Sequence, residues 1–169
     1  MATVTAPNRS IIGWLLVAGG VLQVVGAVVH FANDGNFGAI YAISNIAIGV
    51  AFVLMIAWIA VTTVSRIAYF VAAVGWLLLA LTSLIDLGLI GQVGLYLAII
   101  GSVFSGVIVL STRPFSQRSD IIFFVALVLG AIDLLLSQNS NVPSIVEFVV
   151  VIVFGVALAA AGILMVRRR

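Results

Sequence analysis

The chain has no cysteine, no lysine and one histidine, and only 7% of its 169 residues are charged. Each absence closes off a class of chemistry. Without cysteine there is no disulfide, no thiolate metal site and no thiol nucleophile. A lone His30 cannot supply a multi-histidine metal cluster within one chain. A water-facing globular surface uses about 25% charged residues, which this sequence does not have. Its surface must therefore face lipid. The net charge of +2 comes from seven arginines against five acids. Their positions serve membrane topology better than they would serve a nucleic-acid surface.

What is present is apolar sequence in blocks. Hydrophobic residues make up 64% of the chain, and they fall into runs at Ile11–Phe31, Gly38–Thr62, Arg66–Leu87, Val93–Thr112, Ile121–Gln138 and Ser144–Val166. Each is near the ~20 residues needed to cross a bilayer core. In lipid a backbone must satisfy its own hydrogen bonds, so these runs read as helices. The expected fold is an all-α integral membrane protein of six transmembrane helices. A polar lead (residues 1–10) precedes a membrane domain (11–166), and an arginine tail (167–169) follows it. The lead resembles the n-region of a signal peptide, but more spans follow, so the first helix reads as uncleaved.

With six spans, Arg9, Arg66, Arg113, Arg118 and Arg167–Arg169 all fall on one side of the membrane. The other side carries Asp34 and the SQNSNVPS segment. The positive-inside rule then places both termini in the cytoplasm and the protein in the inner (plasma) membrane.

The spans also repeat. Superposing Ile11, Ile67 and Ile121 brings Gln23, Leu79 and Asp133 together, and likewise His30, Asp86 and Ser140. In the even spans, superposing Gly49, Gly106 and Gly155 brings Asn45, Ser102 and Val151 together, and Tyr41, Ala98 and Glu147. Three hairpin repeats follow, 11–62, 66–112 and 121–166, with the three glycines as helix-packing positions. The hairpins read WLLVAGGVLQVVGAVV with AIYAISNIAIGVAFVLMIAWIAV, VGWLLLALTSLI with YLAIIGSVFSGVIVL, and ALVLGAIDLLL with VVVIVFGVALAAAGILM. In this pattern, over residues 11–166, the chain resembles the acid-resistance membrane proteins of the HdeD type. The resemblance implies six helices in three short hairpins and a role in stress or acid tolerance. It carries over no functional residue.

Asp133 is the polar residue hardest to explain by packing. A carboxylate at the centre of a membrane helix costs about 2.5–3.5 kcal/mol on insertion scales. Asp133 lies roughly 18 Å along its helix from Ile121, in the outer half. Its face holds Ala126, Gly130 and Ser137, small enough to turn it toward a neighbouring helix. Gln23, at the matching depth, can donate to it in either protonation state. His30 and Asp86 share the outer rim, where an imidazole beside a carboxylate can sense acidity. These four are the candidate proton or ion relay; the alternative for Asp133 and Gln23 is a hydrogen-bonded clamp between helices. Ser144 and Glu147 fit a capping box for the last span.

No catalytic constellation, phosphate loop or dinucleotide motif is present. The sequence therefore points to a non-enzymatic multi-pass protein with no cofactor and no metal, a stress-related protein or an accessory membrane subunit. The alternative is a proton- or cation-conducting channel or small carrier built on Asp133 and Gln23. Its expected partners are the lipid bilayer and, in the membrane plane, another protein or further copies of itself. The topology has a direct check. A reporter active only in the cytoplasm, fused after Arg169, is expected to be active, and one active only outside is expected to be silent; the reverse pair would invert the orientation.

Overall fold

The computed structural model describes residues 6–33, 38–85, 87–139 and 141–167. They form six helices, α1 (Ala6–Asn33), α2 (Gly38–Trp58), α3 (Thr63–Thr82), α4 (Leu89–Thr112), α5 (Gln117–Leu136) and α6 (Ser144–Arg167), and no strand. All six are long and apolar enough to cross a membrane. Asp34, Asp86, Arg168 and Arg169 lie outside the described residues.

Local chemistry sets the boundaries, and several differ from those the hydrophobic runs suggest. The first helix starts at Ala6, inside the polar lead. The second stops at Trp58 rather than Thr62, because Thr62 serves the next helix. Thr62 Oγ1 accepts from Ser65 N at 3.1 Å, and Thr62 N donates back to Ser65 Oγ at 3.0 Å. That reciprocal cap starts α3 at Thr63 and draws Arg66 into its first turn. At the end of α4, Arg113 takes a left-handed conformation (φ 47°) with Pro114 behind it, so the helix cannot continue. Ser116 then caps α5 by accepting from Ser119 N at 3.2 Å. The cap begins α5 four residues before Ile121.

Each helix packs on its two neighbours in the chain, and α6 closes back on α1. Neighbours are antiparallel. Along the α1/α6 seam Gly13 faces Gly162 and Gly20 faces Gly155. The result is a ring of six helices whose described ends, with the α2–α3 and α4–α5 connections, share one face. We call this the terminal face; the opposite helix ends mark the turn face. Among the described residues no two helices make backbone contact across the ring.

Two seams are closer than the others. A Cβ on Gly155 would lie 2.6 Å from Gly20 O, and one on Gly13 2.7 Å from Gly162 O. In the α3/α4 seam, Cβ atoms on Gly75 and Gly101 would run into the backbones of Ala98 and Ala72. Elsewhere the glycines meet side chains: Gly49 meets Leu77 of α3, and Gly106 meets Phe124 of α5, each at 2.8 Å. Small residues let membrane helices gain dispersion contact where no hydrophobic drive separates protein from lipid.

The interior of the terminal half is filled by large side chains. Phe52 of α2 reaches across the ring to Phe123 of α5 (ring centroids 6.2 Å) and touches Tyr69 of α3 (6.4 Å). Two helical turns further toward the turn face, Trp76 of α3 stacks on Phe154 of α6 at 5.9 Å. These distances suit aromatic pairing, and none of these five rings is more than 2% exposed. Outside, residues such as Phe70 and Phe104 (60% and 59% exposed) present an apolar face to lipid.

The glycine seams are the part of this packing with least slack. Gly20→Val and Gly101→Val are each expected to cost about 1–3 kcal/mol or more through overpacking, read as a lower midpoint of unfolding in detergent. Gly106→Ala, which meets only the side chains of Phe124 and Leu127, is expected to cost less.

Candidate functional site

Above the Trp76–Phe154 layer the ring is hollow. A cavity of about 600 Å³ opens there, lined from all six helices by residues that include Gln23, Tyr41, Asn45, Trp76, Thr82, Asp133, Ser137, Glu147 and Val151. It continues into a side pocket of about 180 Å³ between α1, α2 and α6, with which it shares His30, Tyr41, Glu147 and Val151. Phe31 and Phe148, stacked at 4.6 Å, line the far side of that pocket. The whole is a vestibule in the turn half, floored by aromatic rings.

Asp133 sits in the last turn of α5, half-buried, and lines this vestibule. Its Oδ1 is buried and accepts no hydrogen bond from the described residues. The end of α5 is also the negative pole of its dipole, which opposes an anion there. Glu147, half-buried in the first turn of α6, faces the same space and is an electrostatic neighbour of Asp133 and of Tyr41. An unpaired carboxylate oxygen next to a second acid in a low-dielectric setting favours a bound cation or proton.

Gln23 is 4% exposed and lines the same cavity, but its amide donates to Asn45 Oδ1 at 3.0 Å. The donor foreseen for Asp133 is thus engaged in the first hairpin. A parallel link joins the second, where Trp76 Nε1 donates to Ser102 Oγ at 2.9 Å. Superposing Gly49, Gly106 and Gly155 puts Val151 where Asn45 and Ser102 stand. Val151 has no polar side-chain atom to offer, which explains why Asp133 finds no equivalent partner. His30 is exposed at the rim of both cavities. The Asp86 half of the foreseen rim pair is outside the described residues.

One further reading changes. The capping box foreseen at Ser144 and Glu147 does not form. The backbone N–H groups of Val146 and Glu147 both donate to Pro143 O, at 2.9 and 3.5 Å, so Ser144 stands inside the first turn instead of capping it. Glu147 is freed for the vestibule. Tyr41 is a further vestibule wall.

Sequence reasoning missed Asp120. It is 1% exposed, in the first turn of α5, with Tyr69 (0% exposed) as an electrostatic neighbour. It lies in the terminal half, beneath the aromatic layers and away from the vestibule. Starting the span at Ile121 left Asp120 in a connection. The Ser116-x-x-Ser119 cap just before the apolar run was the available signal.

The five described arginines, Arg9, Arg66, Arg113, Arg118 and Arg167, lie toward the terminal face. The vestibule acids lie toward the opposite one. Comparisons with family models, with curated proteins and with solved structures give no match.

Because the chain has no cysteine, single cysteines can map the vestibule. Ser137→Cys and Thr82→Cys are expected to react with a membrane-impermeant thiol reagent added from the turn side. Ser105→Cys, at a position 0% exposed below the floor, is expected to stay unlabelled. Labelling of Ser105→Cys at a similar rate would mean that the aromatic floor is open to water.

Proposed function

We propose that the protein is a non-enzymatic, multi-pass plasma-membrane protein that takes up protons or small cations into the acidic vestibule, as a small carrier whose described form is open toward the turn face. Both termini are cytoplasmic in this reading, so the vestibule opens outward. The arginines gathered at the terminal face support that orientation through the positive-inside rule.

The observation that carries the reading is the buried, unpartnered Oδ1 of Asp133 in a cavity it shares with Glu147. Intramembrane acids that face a cavity are the usual marks of ion and proton pathways. The closed floor separates a carrier from an open channel: Phe52, Tyr69, Phe123, Trp76 and Phe154 fill the axis below the acids. Passage would need that layer to rearrange, as in alternating access. A role in acid tolerance, which the HdeD-like pattern implies, would act through the same acids.

Purified protein in liposomes loaded with a pH-sensitive dye tests this. With an imposed gradient, wild-type protein is expected to move protons or to exchange them for a cation, and Asp133→Asn to fall to the level of protein-free liposomes. Unchanged flux in Asp133→Asn, or no flux for any cation offered, would leave Asp133 as a packing residue.

A further inference from the structure

The vestibule is much larger than an inorganic ion needs. At about 600 Å³ it falls within the ~300–1,000 Å³ typical of small-molecule sites. Its acidic groups also do not cluster as a hard-metal site requires. Calcium takes about 6–8 oxygen ligands, and among the described residues no three His, Asp or Glu side chains gather within reach of one ion. The Gln23 amide gives one N–H to Asn45 Oδ1. The acids of the lining are Asp133 and Glu147, with His30 at the rim, and aromatic rings stand beside them.

The rings are held in place. Trp76 is fixed by its stack on Phe154 and by its bond to Ser102 Oγ at 2.9 Å. Tyr41 packs over Gly26, where a Cβ would lie 3.1 Å from its ring. A cation against an aromatic face gains from the ring quadrupole, most of all where water is scarce. A carboxylate with an unpaired buried oxygen favours a diffuse positive charge or an N–H donor. The side pocket adds apolar room from Ala27, Phe31 and Phe148.

From these features we propose that the vestibule binds a compact organic ammonium ion, with its charged nitrogen between Asp133 and Glu147 and its body against Trp76 and Tyr41. The inference rests on the reading of the vestibule as a cation site, and it names the ligand class. Choice between ligands follows from the two parts. An inorganic cation satisfies the acids but leaves the rings unused. A neutral molecule of the same shape fills the cavity and leaves the acids unpaired. Only an organic cation answers both.

Trp76 reports occupancy. Trp14→Phe and Trp58→Phe, both far from the cavity lining, leave Trp76 as the single tryptophan. Purified protein in lipid nanodiscs is titrated with benzyltrimethylammonium, with benzyl alcohol as the neutral comparison, and with sodium and calcium chlorides. Saturable change in Trp76 emission is expected with benzyltrimethylammonium. Asp133→Asn and Glu147→Gln are each expected to weaken it, on the order of tenfold for the buried Asp133, with the proteins equally monodisperse. The salts and benzyl alcohol are expected to give no saturable signal. An equal response to benzyl alcohol, or an unaltered titration in both variants, would overturn the assignment. If sodium or calcium saturates the signal, or the liposomes carry only protons, while benzyltrimethylammonium does nothing, the ligand class falls and the vestibule reading stands. If no cation changes the signal and none is transported, both fall.

Discussion

Six helices whose described backbones touch only their neighbours around the ring enclose a space they cannot fill with backbone. With adjacent axes at the usual 8–10 Å, facing helices in a six-membered ring stand roughly 16–20 Å apart. That leaves room near the axis for about one more helix. Side chains must occupy it, or it stays hollow. In the terminal half the chain spends its largest residues there: Phe52 and Phe123 meet across the ring, and Trp76 meets Phe154. In the turn half the residues facing inward include Gln23, Asn45, Thr82 and Asp133, too small or too polar to close the gap. One constraint therefore yields both the packed floor and the vestibule above it.

The periphery obeys a different rule. Lipid is as apolar as leucine, so the outer residues gain nothing by association, and the ring is held by close backbone approach. The seams at Gly13–Gly162, Gly20–Gly155, Gly75–Ala98 and Gly101–Ala72 supply it. They sit on two of the six interfaces. The α1/α6 seam joins the first helix to the last, and its glycines hold the ring shut. Closure also matters to the site, because Gln23 and Glu147 reach one cavity only when α1 and α6 are neighbours.

Run length and arginine placement made the number of helices and the one-sided charge legible in the sequence, since both follow from bilayer thickness and from the cost of moving charge. The inward face of Asp133 was legible too, from Ala126 and Gly130 beside it. The ring was not, because many arrangements of six apolar helices satisfy the same patterns. The helix starts were not, because Thr62 and Ser116 caps lie inside or next to apolar runs that hydropathy alone treats as continuous. This is why Asp120 was left in a connection. Glu147 was read as a cap because Ser-x-x-Glu fits one locally, whereas the cavity offers the same carboxylate a partly wet space shared with Asp133.

The asymmetry among the hairpins gives the site its character. Gln23 has Asn45, and Trp76 has Ser102, so in two hairpins a buried polar group spends its hydrogen bond on the neighbouring helix. Such bonds average only ~0.6 kcal/mol in membrane proteins, but leaving a polar group unpaired costs more than making the bond gains. In the third hairpin the residue in register is Val151. Asp133 takes the Gln23 position with no Asn45 opposite, and it does so at the unfavourable pole of α5. With no such partner, Asp133 keeps its place because the cavity it shares with Glu147 leaves its side chain facing open space, where a packed interface would bury the whole carboxyl group without a hydrogen bond.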